Sequence, residues 1–125
     1  MEMANDTFEI VHEDDVVIMT PVSDLRELDF GTTEKSASKV FDLLAEKKAK
    51  HVVIDLSKTD YYGSTALGFS VKLRKRVADQ GGQMAICNIS KHELEVLQVT
   101  RLDELWPICD SREAAIEAVR SGSAD

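Results

Sequence analysis

Asp55-Leu56-Ser57-Lys58-Thr59-Asp60-Tyr61-Tyr62-Gly63-Ser64-Thr65-Ala66-Leu67-Gly68 is the stretch on which the reading of the fold turns. It is entered from the apolar run Val52-Val53-Ile54 and left through a segment with Ala66, Ser70, Leu73 and Val77 at helical intervals. An apolar run without alternation marks a strand covered on both faces, as in a parallel sheet. A strand, a polar turn at Ser57-Lys58-Thr59-Asp60 and a helix opening near Ser64 form the first half of a β-α-β unit. Gly81-Gly82 stops that helix, and Met84-Ala85-Ile86-Cys87 supplies the next strand.

The pattern continues in both directions. Upstream, Phe8, Ile10 and the run from Val16 to Met19, joined through Glu13-Asp14-Asp15, predict an antiparallel hairpin. After Pro21, Gly31-Thr32-Thr33 offers a cap for a helix starting near Thr32 or Thr33; Val40, Leu43 and Leu44 give it an apolar face, and Glu46-Lys47-Lys48 closes it. Downstream, Lys91 to Val99 carries Leu94 and Leu97 at helical spacing. Leu105-Trp106-Pro107-Ile108-Cys109 reads as a last strand, at an edge because Pro107 has no N–H to donate, with Trp106 in the core. Ser111 then caps a helix bearing Ala114, Ala115, Ala118 and Val119. The expected order is β-β-α-β-α-β-α-β-α. That is one α/β domain over residues 1–125, with a mixed, mostly parallel sheet opened by a hairpin, about four helices, and an ordered core from about residue 7 to about residue 120.

Composition bounds the function. The 125 residues carry 15 Lys+Arg against 23 Asp+Glu, a formal charge of -8, and 43% of them are hydrophobic, enough for a core without disulfide or metal staples. The acidic balance argues against nucleic acid and against anionic membrane, leaving a protein or a small molecule as the expected partner. No apolar run approaches the roughly 20 residues a membrane-spanning helix needs. Met1-Glu2-Met3-Ala4-Asn5-Asp6 has no signal-peptide core, so a cytoplasmic location is expected. Cys87 and Cys109, each in an apolar stretch, read as reduced core thiols in preference to a disulfide. His12, His51 and His92 stand in separate elements, and the glycines form neither a dinucleotide nor a P-loop fingerprint. We therefore expect no catalytic set, no metal and no cofactor; Asp55 and Asp60 read as turn residues.

Ser64 has two readings on physical grounds. It can cap the helix that starts there, worth about 1 kcal/mol. It can also be a modification site, because the free N–H groups and dipole of a helix N-terminus accommodate a phosphate. A phosphoryl group adds about -1.5 to -2 charge, enough to spoil a packed protein interface. Of Tyr61 and Tyr62, the alternation of an extended segment turns one ring inward and leaves the other as a candidate contact. The run Lys72, Arg74, Lys75, Arg76 reads as a solvated face or as a complement to an acidic partner patch.

The Asp55 to Gly68 stretch resembles the signature of the STAS family in the form found in bacterial anti-sigma factor antagonists. That pattern runs Asp-Leu-Ser, a few residues, Asp, two mostly apolar residues, then Asp-Ser-(Ser/Thr/Ala)-Gly-Leu-Gly opening a helix. The chain departs from it at Gly63 and Ala66, where the family usually has Asp and Gly, and Asp24 is the nearest counterpart of an acidic residue in the loop after the hairpin. The resemblance implies a STAS-like fold over nearly the whole chain. It implies a phosphorylation-regulated binding module, not an enzyme. Its partners would be an anti-sigma factor that is also a serine kinase of the histidine-kinase-like ATPase type, and a serine phosphatase. Ser64 would take the phosphate, with Thr65 the second candidate; Asp24, Asp60, Tyr61, Tyr62, Gly63, Ser64, Thr65, Leu67 and Gly68 would form the partner-binding surface. A STAS scaffold or transport-associated domain without phosphorylation, and a small-ligand or lipid binder on the same fold, stand as alternatives.

Overall fold

Every residue of Val16–Pro21 and of His51–Asp55 is buried, and the sheet is organised around these two strands. The computed structural model describes residues 2–4, 8–21, 30–46, 49–58 and 64–121, with side chains for 9–21, 38–46, 49–58 and 68–121. Among the described residues the elements run β1 (Glu2–Ala4), β2 (Phe8–Glu13), β3 (Val16–Pro21), α1 (Phe30–Ala45), β4 (His51–Asp55), α2 (Ser64–Asp79), β5 (Met84–Cys87), α3 (Lys91–Thr100), β6 (Ile108–Cys109) and α4 (Arg112–Ser121). They form one six-stranded sheet in sequence order, antiparallel from β1 to β3 and parallel from β3 to β6.

Strand alternation distributes the core between the two faces. Val17, Met19, Val52, Ile54, Met84 and Ile86 point to the side where Val40, Leu44, Phe69, Leu73 and Val77 of α1 and α2 pack. Val16, Ile18, Val53, Ala85 and Cys87 point to the other side, against Ala115 and Val119 of α4. Covering both faces is what makes the central strands read as unbroken apolar runs.

The expected order is present, with three differences at the margins. A three-residue strand, β1, pairs Met3 with Ile10 at the outer side of the hairpin; Glu2-Met3-Ala4 is too short to show a period. Helix α1 begins at Phe30, before the Thr32–Thr33 pair. The last strand is confined to Ile108–Cys109, because Arg101 ends α3 in the left-handed conformation (φ 63°) and Leu102–Glu104 winds into a 3-10 turn. Pro107 still serves the ladder as an acceptor, taking the Ile86 N–H at 3.0 Å, and β6 lies at the sheet edge as Pro107 requires. Trp106 is in the core, 3% exposed, with its indole N–H unpaired among the described residues. Ser111 accepts the Ala114 N–H at 3.1 Å, the cap read from the sequence.

At the amino end of the parallel strands, His51 opens β4 almost fully buried, and its Nδ1 accepts the Gln83 N–H at 3.0 Å, so a proton there breaks a backbone bond. Burial lowers its pKa below 6.5; the Asp15 carboxylate, 3.6 Å from Nε2, opposes that, and Lys50 and Arg120 reinforce it. The unfolded chain therefore takes up this proton first. Stability from the neutral imidazole is complete above about pH 6.5 and falls as pH drops through the lower native value. Urea midpoints measured from about pH 7.5 to about pH 5 should decline with acidity in the wild type and more shallowly in His51→Gln.

Candidate functional site

The carboxyl ends of the parallel strands gather a polar cluster around Asp55, the last residue of β4. Its side chain is 3% exposed, so its charge needs partners. Oδ1 accepts the Ser57 N–H and the Asn88 Nδ2, both at 3.0 Å, and Oδ2 accepts Arg112 Nε at 2.9 Å. The other arm of Arg112 reaches the buried Thr20 Oγ1 at 3.2 Å. Burial alone would raise the Asp55 pKa, but the bonds from Asn88, Ser57 and Arg112 outweigh it and hold the carboxyl below its ordinary 3.8. Asn88 is placed for this by a left-handed turn (φ 57°), which Asn tolerates better than most residues.

This carboxylate does the work expected of a turn residue, since it accepts the Ser57 N–H of its own turn. It also ties the ends of β3, β4 and β5 to the first residue of α4, a role that spacing within one segment does not reveal. Arg112 and Asn88 are consequently missing from the sequence reading of the site. The only local hint was a carboxylate closing an otherwise apolar strand.

Ser57 starts the connection that leads to α2, and Ser64 is the first residue of that helix. Thr65 and Leu67 lie in its first turn. Gly68 is exposed, and a Cβ built on it meets nothing within 4 Å. Asp24, Asp60, Tyr61, Tyr62 and Gly63 fall outside the described residues. The buried face of α2 carries Phe69, Ser70, Leu73 and Val77, which leaves Gly68, Val71, Lys72 and Lys75 outward. A cavity of about 320 Å³ lined by Arg74, Val77, Gly82, Gln83, Leu105 and Pro107 lies at the opposite end of α2 from Ser64.

Cys87 and Cys109 are register partners on adjacent strands, and both are free thiols. Burial pushes Cys87 up to about 12, and burial raises Cys109 as well. Neither supplies a thiolate near neutral pH, which suits packing and not nucleophilic chemistry.

Residues 7–115 match the STAS domain family. The chain belongs to the STAS domain family. A Thermotoga maritima protein assigned as an anti-sigma factor antagonist is 31% identical to this STAS domain over 107 residues, which span 86% of the chain and 92% of that relative. A crystal structure of a Thermotoga maritima protein so assigned superposes with a TM-score of 0.76 at 30% identity, covering 90% of this chain and 94% of its own. An anti-sigma factor antagonist (STAS) domain protein from Planctomyces limnophilus superposes with a TM-score of 0.71 at 31% identity, covering 89% of this chain and 96% of its own. No helix among the described residues of the STAS domain is long and apolar enough to cross a membrane.

Proposed function

We propose that this STAS domain is the binding member of a phosphorylation-controlled partner switch of the anti-sigma factor antagonist kind. Unphosphorylated, it binds an anti-sigma factor that is also a serine kinase of the histidine-kinase-like ATPase type, and so frees the sigma factor. Phosphate on Ser64 ends that binding, and a serine phosphatase restores it. The domain catalyses nothing itself and acts in the cytoplasm.

The observation that carries this reading is the position of Ser64 as the first residue of α2, on a helix whose outward face is free of the core. The first four N–H groups of a helix have no intrahelical acceptor, so a phosphate there is tolerated by the fold. On the binding side the same group brings about -1.5 to -2 charge into a packed contact. Gly68 supports the surface reading. Glycine inside a helix costs about 1 kcal/mol relative to alanine, and the open space around Gly68 gives the fold no use for it; a closely approaching partner backbone does.

Incubation with the histidine-kinase-like anti-sigma factor of the same genome and ATP should add one phosphate by mass spectrometry, absent in Ser64→Ala. Ser64→Asp should keep the wild-type circular dichroism spectrum and lose the anti-sigma factor in a pull-down. Phosphate that survives Ser64→Ala refutes the site. Binding that persists in Ser64→Asp, with no phosphate transferred to the wild type, makes the domain a constitutive binding module, the outcome to which Gly63 in the usual acidic position would point.

A further inference from the structure

Charge is unevenly spread over this chain. Its formal total is -8, yet α2 carries Lys72, Arg74, Lys75 and Arg76 against a single acid, Asp79. Two of these cations are engaged by the fold. Arg74 Nε donates to the Leu105 carbonyl at 2.6 Å, and the Arg76 guanidinium lies 5.3 Å from the centre of the Phe41 ring. Lys72 and Lys75 are exposed and have no hydrogen bond or ion pair among the described residues.

Helical geometry sets where these lysines stand. At 3.6 residues per turn, positions 64, 68, 71, 72 and 75 share one face, and Lys75 lies about 16 Å along the axis from Ser64. Val71, one of the two exposed large hydrophobic residues among the described residues, sits between Gly68 and the lysines. The stripe therefore passes from a smooth turn at Gly68 past the exposed Val71 to two cations without an ion-pair partner among the described residues. Lone exposed lysines on an acidic protein contribute little to folding.

We infer that Lys72 and Lys75 form the electropositive end of the partner-docking face of α2 and fit an acidic patch on the anti-sigma factor. This inference rests on the function proposed above and names the chemistry of the partner surface. Axial separations from Ser64 of about 12 Å for Lys72 and about 16 Å for Lys75 both exceed the Debye length of about 8 Å at physiological salt, so a phosphate on Ser64 is largely screened from the lysines. They act on encounter, raising the association rate as rim charges do, while Ser64 decides whether the contact closes.

The test is association of the purified histidine-kinase-like anti-sigma factor with wild type and with Lys72→Glu/Lys75→Glu, followed by surface plasmon resonance at about 50 mM and about 300 mM NaCl. The double variant should associate at least 10-fold more slowly at low salt, with the gap closing at high salt and dissociation changed less than about twofold. Lys91→Glu/Lys50→Glu, the same charge change on other exposed lysines, should retain the wild-type rate. Wild-type association in Lys72→Glu/Lys75→Glu, or equal slowing in both double variants, overturns the inference and leaves the proposed function standing. No binding by the wild type overturns both. Wild-type binding to phosphatidylserine vesicles that the α2 variant loses, with unchanged anti-sigma association, reassigns the stripe to a membrane and overturns the inference.

Discussion

Gly82→Ala is expected to destabilise the protein by about 3 kcal/mol, a drop in melting temperature of roughly 10 °C. A Cβ at this position would stand 1.9 Å from the Lys50 carbonyl oxygen and 3.0 Å from Val77 Cγ1. Neither side yields easily. The Gly82 N–H is bound to the Val77 carbonyl at 2.9 Å, closing the Schellman turn at the end of α2, and the peptide leading into β4 is fixed by Lys50 and His51 N–H groups bound to the Asp15 carbonyl at 2.7 and 3.0 Å. The adjacent glycine is the informative comparison. Gly81 has φ +78° and open surroundings, with only Lys50 Cε at 3.9 Å, so its requirement is conformational. Gly81→Asn, which tolerates the left-handed region, should lose about 1 kcal/mol or less by urea denaturation. Equal losses for the two variants would contradict a steric origin at Gly82.

Arg112→Leu should cost about 2 to 3 kcal/mol, because it leaves a buried carboxylate with its remaining partners only. Asp55 keeps the Ser57 and Asn88 donors but loses the charge that compensates its own, and Thr20 loses a donor. Adding Asp55→Asn should recover a large part of the loss, since the amide keeps an acceptor for Ser57 and needs no counter-charge. A double variant no more stable than Arg112→Leu would show that packing of the Arg112 stem, not charge, is at stake. The pH dependence has a definite sign. Native Asp55 titrates below 3.8, so the stability of its charged form is present above that value and is lost as pH falls through the native pKa. The gap between wild type and Arg112→Leu should therefore narrow in strong acid. Amide exchange at Ser57 should quicken in the variant, because the same carboxylate anchors the turn from which the chain leaves for Ser64.

Much of this was legible locally. Val52-Val53-Ile54 and Met84-Ala85-Ile86-Cys87 announce buried strands by lack of alternation, Gly81-Gly82 a helix end, and Ser111 a cap; each is a property of a few consecutive residues. Glu2-Met3-Ala4 was not, since three residues carry no period and its pairing depends on Ile10 of β2. Leu105-Trp106-Pro107 has the composition of a strand, but the left-handed Arg101 and the 3-10 turn behind it keep the segment out of regular pairing, so that Pro107 joins the ladder only through its carbonyl and β6 is left with two residues.

The candidate site divides in the same way. Ser64 at a helix start, with the signature around it, is written in consecutive residues, because helix nucleation after a buried strand is local. The linkage of Asp55 to Asn88, Arg112 and Thr20 joins residues up to 92 positions apart. Nothing in their spacing announces it; it exists because parallel strands bring their carboxyl ends together and α4 returns to the same end. Likewise, four basic residues in a row of five look alike in sequence, and only the packing of Arg74 on Leu105 and Arg76 on Phe41 separates the two that serve the fold from Lys72 and Lys75, which face outward. The sequence by itself determined the element order from the hairpin onward, the family and the place of Ser64 at a helix start. The tertiary structure decided which charges are spent inside the molecule and which are left facing outward, because that depends on which groups burial deprives of water.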